Sequence, residues 1–343
     1  MRLRVRKVAV ILCAAAVATW IFLCNLPLLP RLCGFPEGLP IKSPRIQLRD
    51  GRYLAYEELG VPRANAKYKI VFLHGFANSK RNVVIADRLP KAIFEELDVC
   101  IISFDRPGYG ESDPDPNRSL KSVSQDIEEL ADQLELGDKF YLSGFSLGAQ
   151  IVWGSFKYIP HRLAGAVLIA PAVNYWWDGF PPDLANDAFQ KQLPQDQWAQ
   201  RVAYYVPWLT YWWNTQTHFP GSSVTALALS TQDYRIHCSV SDSANTQVQV
   251  KQGAYESLHL DMMIGFGKWD FSPMDLANPI PGKEGAVHLW QGDNDKLVPV
   301  TLQRYIVKKL PWITYHEVPG AGHMFALSDG KPEAILRALL AEK

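Results

Sequence analysis

One short segment in the middle of the chain has the residue types and spacing of a catalytic nucleophile. Gly144-Phe145-Ser146-Leu147-Gly148 matches G-x-S-x-G, in which a serine stands on a sharp turn between a strand and a helix. A serine hydroxyl at its ordinary pKa is a poor nucleophile, so a base must take its proton. The segment therefore predicts Ser146 as nucleophile and requires a base elsewhere in the chain.

A glycine-rich segment near the C-terminus offers that base. His323 follows Gly320-Ala321-Gly322 directly after the last predicted strand, where a loop can carry the imidazole back over the carboxyl edge of a sheet. His316, by contrast, lies within that strand. We predict that His323 is the general base.

A carboxylate must hold the histidine in the right tautomer, and one loop offers two. Asp293 and Asp295 both follow a predicted strand that ends at Gly292, and the sequence does not show which of them faces His323. We predict Asp295, with Asp293 as the alternative.

Main-chain amides at two further positions could stabilise a developing oxyanion. His74-Gly75-Phe76 follows a predicted strand, and Leu147 follows the serine at the start of a helix. We predict the backbone N–H groups of Phe76 and Leu147 as the oxyanion hole.

Short β-branched runs alternate with longer amphipathic segments, which is typical of parallel strands joined by helices. Ser119 is predicted to cap a helix, a second helix covers 147–158, and a last one runs from 334. We predict an α/β fold with a mostly parallel eight-stranded sheet and helices on both faces. The predicted strands are residues 45–50, 52–60, 69–75, 99–105, 139–145, 163–171, 286–292 and 313–319.

The alternation of strands and helices is interrupted between residues 174 and 283. Seven of the 11 tryptophans lie there, which fits helices that cover a site with flat apolar surface, or equally rings that form the segment's own small core. We predict a helical cap over 174–283, inserted between two parts of one core, 45–173 and 284–343.

The first 30 residues combine a basic flank with an apolar run. Arg2, Arg4, Arg6 and Lys7 precede an uncharged stretch from Val8, close to the length of about 20 residues that spans a bilayer. These features predict a transmembrane signal anchor over 1–30, a linker over 31–44, and a catalytic domain in the lumen or outside the cell. A cleaved secretion signal is the alternative.

With these residues assigned, the sequence resembles lidded serine hydrolases of the α/β-hydrolase superfamily. The nucleophile, acid and base occur in that family's order, and the segment from Asp105 to Ser112 (DRPGYGES) is similar to its glycine-rich loop after the fourth strand. The resemblance covers 45–173 and 284–343. It implies the α/β-hydrolase fold and ester, thioester, amide or related acyl chemistry. Among these we predict carboxylesterase-like or lipase-like cleavage of an ester through an acyl-enzyme.

Composition limits the partners. The chain of 343 residues has 35 basic and 35 acidic side chains, so its charge gives no indication of nucleic-acid binding, and no zinc-type motif predicts a metal. We expect no cofactor, and a small apolar ester, such as a lipid-derived one, as substrate. The aspartate nucleophile of epoxide hydrolases and dehalogenases is absent at Ser146. A hydrolase-like binding protein with slow turnover and an acyltransferase stay open as alternatives.

Overall fold

The structure is a computed structural model of the chain. It describes residues 2–24, 26–27, 29–35, 38, 40–87, 89–216, 230, 232–233, 236, 253, 255–282 and 286–341.

Eight strands form one sheet in the described part of the chain. Their order across the sheet is β1-β2-β4-β3-β5-β6-β7-β8. The pairs β1–β2 and β2–β4 are antiparallel, and the other neighbouring strands are parallel. This confirms the predicted mostly parallel, eight-stranded sheet. The strands are β1 (Arg45–Gln47), β2 (Tyr53–Gly60), β3 (Tyr68–Leu73), β4 (Val99–Phe104), β5 (Phe140–Phe145), β6 (Leu163–Ile169), β7 (Val287–Gly292) and β8 (Ile313–Val318).

Helices cover both faces of the sheet, so its central strands consist almost entirely of buried residues. Every residue of β4 and β7 is buried, as expected for parallel strands between two layers of helices. The strand predicted to reach residue 171 ends at Ile169, since Ala170 has a φ of +44° and turns the chain away.

The described α-helices alternate with these strands. They are α1 (Arg2–Cys24), α2 (Lys91–Leu97), α3 (Leu120–Gln133), α4 (Leu147–Tyr158), α5 (Pro182–Gln190), α6 (Pro194–Tyr205), α7 (Thr210–Thr215), α8 (Leu260–Phe266), α9 (Val300–Lys309) and α10 (Lys331–Leu340).

Two separate apolar cores place these helices on opposite faces. Buried residues of α3, α4 and α9 share one core, and those of α2 and α10 share the other. The predicted N-cap of α3 is confirmed, because Ser119 Oγ accepts the amide of Ser122 at 3.1 Å while Ser122 Oγ accepts the amide of Ser119 at 2.9 Å.

The helices α5 to α8 lie between β6 and β7, within the segment predicted as a cap. Its tryptophans divide into two groups. Trp177 is buried against Trp269 with ring centroids 4.8 Å apart, whereas Trp198 and Trp208 keep 52% and 75% of their surface exposed. Trp177 and Trp269 therefore pack within the segment, which agrees with the interpretation that its rings form a small core of their own.

The predicted transmembrane anchor is wrong. Among the helices of the described residues, none has both the length and the apolar content to cross a membrane. Four of the first six positions of α1 are basic. The predicted membrane location, with the catalytic domain held by this anchor in the lumen or outside the cell, is corrected with it.

Candidate active site

Ser146 stands on a strained turn between β5 and α4. Its φ is +55° and its ψ is −118°, a backbone conformation that residues other than glycine rarely adopt. The two glycines of the motif make the turn possible. A Cβ on Gly144 would lie 2.6 Å from the amide nitrogen of Ala149, and one on Gly148 would lie 2.3 Å from the carbonyl oxygen of Leu73. The turn presents Ser146 at the carboxyl edge of the sheet.

The structure brings three predicted residues into one chain of hydrogen bonds. His323 Nε2 lies 3.0 Å from Ser146 Oγ, and His323 Nδ1 lies 2.8 Å from Asp295 Oδ2. With the proton on Nδ1, the imidazole donates to the carboxylate and its Nε2 accepts from the serine hydroxyl. This is the arrangement in which a histidine takes a proton from serine.

Asp295 is held by several donors besides the histidine. Its Oδ1 accepts the amides of Leu297 at 2.9 Å and Val298 at 2.8 Å, and its Oδ2 accepts Gln291 Nε2 at 2.8 Å. Asp293, the alternative from the sequence, is half-buried on the same loop. The structure thus places Asp295, rather than Asp293, against His323.

His323 is buried, and opposing effects act on its pKa. Desolvation by burial lowers the pKa, while the charge and hydrogen bond of Asp295 and the charge of Asp233 raise it. The net direction is upward from the ordinary value. The site therefore stabilises a proton on the imidazole, which helps the histidine to accept one from a serine hydroxyl.

The two amides predicted as oxyanion donors lie on different elements. Leu147 is the first residue of α4, where backbone N–H groups have no acceptor within the helix. Phe76 lies on the loop after β3, whose carbonyls at His74 and Gly75 accept Arg106 Nε at 3.2 Å and Arg106 Nη2 at 3.0 Å.

Sequence reasoning missed three residues that hold the site in place. Asp233 accepts the backbone amides of His323 and Met324, and Asp261 binds Arg106. Arg106 belongs to a segment that the sequence did single out, as part of a family-like loop, but without a role. No pattern of spacing marked the two aspartates.

Within the described ranges, no group of three or more histidine, cysteine, aspartate or glutamate side chains is arranged to hold a metal ion.

Comparisons with known proteins agree with this architecture. Residues 70–338 match the model of the alpha/beta hydrolase family, and the chain belongs to that family. A search of curated proteins found no relative by sequence.

Solved structures similar to the chain share its fold at low sequence identity. A thermophilic esterase from Thermogutta terrifontis superposes with a TM-score of 0.56 at 20% identity, covering 87% of this chain and 97% of its own. An esterase from Exiguobacterium antarcticum gives 0.55 at 18%, covering 87% and 99%. The enol-lactonase from Burkholderia xenovorans LB400 gives 0.58 at 14%, covering 87% and 100%.

Proposed function

We propose that the chain is a serine hydrolase that cleaves a carboxylic ester through an acyl-enzyme intermediate. The observation that carries the proposal is the hydrogen-bonded series Ser146–His323–Asp295, with the serine on a strained strand-to-helix turn. Strain of this kind persists where surrounding structure holds it, and it is concentrated at functional sites.

In the proposed acylation step, Ser146 Oγ attacks the acyl carbon of the ester while His323 Nε2 takes the hydroxyl proton. Asp295 stabilises the resulting imidazolium. The carbonyl oxygen becomes an oxyanion that accepts hydrogen bonds from the amides of Phe76 and Leu147. When the tetrahedral intermediate collapses, the bond to the alkoxy oxygen breaks, and His323 gives its proton to the leaving alcohol.

In the second step, water replaces the alcohol. His323 takes a proton from the water as its oxygen attacks the acyl carbon of the Ser146 ester. Collapse of the second intermediate returns that proton to Ser146 Oγ and releases the carboxylic acid. The net reaction is ester plus water to acid plus alcohol, with no cofactor in any step.

A cluster of apolar side chains that includes Phe76 favours a substrate with an apolar acyl group. Buried side chains of α6 and α8 pack with partly buried rings, one of which belongs to the candidate oxyanion loop. A substrate whose carbonyl lies at the Phe76 amide would contact this cluster. The structurally similar proteins that are named as esterases agree with an ester substrate. The members of the cluster are Ala199, Ala203, Met262, Phe76, Trp213 and Phe266.

Labelling by a fluorophosphonate probe tests the nucleophile directly. We expect the full chain to be labelled and to turn over some member of a p-nitrophenyl ester series running from short to long acyl chains. Ser146→Ala should not be labelled, and its kcat should fall by at least about a thousandfold while the chain remains folded.

Ser155→Ala is the matched control. Ser155 is also on α4 and buried, and its hydroxyl has no hydrogen-bond partner in the described residues, so we expect labelling to be retained. Labelling that survives in Ser146→Ala would contradict the nucleophile assignment. Stoichiometric labelling of the wild type without turnover of any ester would instead favour a binding protein.

A further inference from the structure

Arg106 holds the loop that carries one proposed oxyanion donor. Its side chain donates from Nε to the carbonyl oxygen of His74 at 3.2 Å and from Nη2 to that of Gly75 at 3.0 Å. Its backbone amide donates to His74 Nε2 at 3.1 Å, which leaves His74 Nδ1–H to donate to the Gly75 oxygen at 2.9 Å. Arg106 Nη2 and His74 Nδ1 thus both donate to the Gly75 oxygen and fix the direction of that carbonyl group.

The direction of that carbonyl sets the direction of the Phe76 amide. The peptide bond between Gly75 and Phe76 is trans, and in a planar trans peptide the C=O and N–H bonds point in opposite directions. Because the Gly75 oxygen is held toward Arg106, the Phe76 N–H points away from Arg106. The next residue, Ala77, has a φ of +55°, a strained conformation that needs such anchoring.

Arg106 is in turn held by a carboxylate from α8, in the segment between β6 and β7. Asp261 Oδ1 accepts Arg106 Nη1 at 2.6 Å, and Asp261 Oδ2 accepts Arg106 Nη2 at 2.7 Å. Tyr109 Oη donates to Oδ2 at 2.6 Å, and Arg118 lies 3.1 Å from Oδ1. All four side chains are buried, and α8 also contacts α4 through Gln150 Nε2, which donates to the Gly265 oxygen at 3.0 Å.

A buried guanidinium requires a partner of opposite charge, and bidentate pairing with a carboxylate fixes its plane. Without Asp261, Arg106 and Arg118 would be two neighbouring buried cations. Arg106 would then have to move toward water, and its contacts to the loop carbonyls would be lost.

We propose that Asp261 is a positioning residue for the oxyanion hole: through Arg106 it orients the Phe76 amide, so the donor is in place only while α8 is docked on the core. The inference rests on the proposed serine hydrolase. It assigns to the inserted segment a role in assembling the catalytic machinery as well as in covering the substrate.

The test compares Asp261→Asn and Arg106→Lys with Tyr109→Phe. The first variant keeps the shape of the side chain but removes its charge. The second keeps a cation opposite Asp261 but lacks the fork that reaches two carbonyls. Tyr109→Phe removes a 2.6 Å hydrogen bond from the same carboxylate while leaving its pairing with Arg106, so it perturbs the same buried cluster without removing the charge pair.

Two readouts are taken on the full chain. Hydrogen exchange of segment 74–78 should accelerate about tenfold in Asp261→Asn and Arg106→Lys, and little in Tyr109→Phe. With a p-nitrophenyl ester, kcat should fall by about tenfold to a hundredfold in the first two variants with KM nearly unchanged, because an oxyanion donor acts in the transition state. Tyr109→Phe should stay within about twofold of the wild-type kcat.

Unchanged exchange in segment 74–78 for Asp261→Asn would overturn the inference, and so would faster exchange with an unchanged kcat. A wild type that is folded but inactive would contradict the proposed function instead. Exchange alone, which needs no activity, would then decide whether Asp261 holds this loop.

Discussion

The carboxylate of Asp233 accepts the backbone amide of His323 at 2.9 Å. The same oxygen, Oδ2, accepts Ser230 Oγ at 2.8 Å, and the other oxygen, Oδ1, accepts the amide of Met324 at 2.7 Å. Asp233 is fully buried and belongs to the segment between β6 and β7, 90 residues before the histidine. It therefore fixes the backbone of the loop that carries the proposed base and adds a second negative charge near the imidazole.

Asp233→Asn should shift the pH dependence of activity. His323 acts as a base when neutral, so activity rises with pH through the pKa of its imidazole. Burial lowers this pKa, but Asp295 and Asp233 raise it above the ordinary value on balance. Removing the Asp233 charge should therefore move the acid limb of the kcat/KM profile to lower pH.

Asp138→Asn is the control for this shift. Asp138 lies at the other end of β5 from Ser146, and its replacement removes the same charge from the chain. Its acid limb should coincide with that of the wild type. An acid limb that stays in place in Asp233→Asn, or that moves equally in both variants, would contradict the role of Asp233.

Asp295→Asn and Asp293→Asn separate the two acids that the sequence left open. Asp295 contacts His323 Nδ1 at 2.8 Å, so its replacement by an amide favours the wrong tautomer and should lower kcat by about 10⁴-fold. Asp293→Asn should change kcat by less than about threefold. Steady-state kinetics with one ester decide between them, and a large loss in Asp293→Asn alone would reverse the assignment.

Much of the fold and the centre of the site were predictable because their signals are local. Ser146 and His323 each follow an apolar run and have glycines beside them, so the sequence shows both the end of a strand and a tight loop. Asp233 and Asp261 are single carboxylates whose partners lie 90 and 155 residues away. No local pattern can mark a contact of that kind.

The predicted membrane anchor is a feature that the sequence indicated and that the described residues do not show. The uncharged stretch from Val8 has the composition expected of a membrane span, and the helix that contains it ends at Cys24. Composition alone did not show where the helix would end. Whether a helix combines enough length with enough apolar content can be judged only when its bounds are known.

Gly148→Ala should destabilise the chain by about 1 to 3 kcal/mol, as overpacking does in a closely packed interior. The added Cβ would lie 2.3 Å from the Leu73 oxygen and 2.6 Å from the His74 oxygen, and both are backbone atoms that cannot rotate away. Urea unfolding measures the change. Gly154→Ala on the same helix is the comparison and should cost less, since its nearest contact would be 3.1 Å to the Leu120 Cβ, which would have to shift by only a few tenths of an ångström, and alanine favours a helix. Equal losses in both variants would argue against a steric cause.

The strained turn at Ser146 leads to a comparison between two inactive variants. Ser146→Gly and Ser146→Ala both lack the hydroxyl, so neither should turn over substrate. Glycine adopts a φ of +55° with a ψ of −118° without steric conflict, whereas alanine keeps the strain of the Cβ. We expect Ser146→Gly to be more stable than Ser146→Ala by about 1 kcal/mol in urea unfolding.

Ser155, nine residues further on in the interior of α4, should show the reverse order. In a regular helix, glycine is about 1 kcal/mol less favourable than alanine, so Ser155→Gly should be the less stable of that pair. The sign of the glycine–alanine difference thus depends on the backbone conformation at each serine. If glycine proves the less stable replacement at both positions, the turn at Ser146 does not store strain, and the sharp strand-to-helix turn that presents the nucleophile would need another explanation.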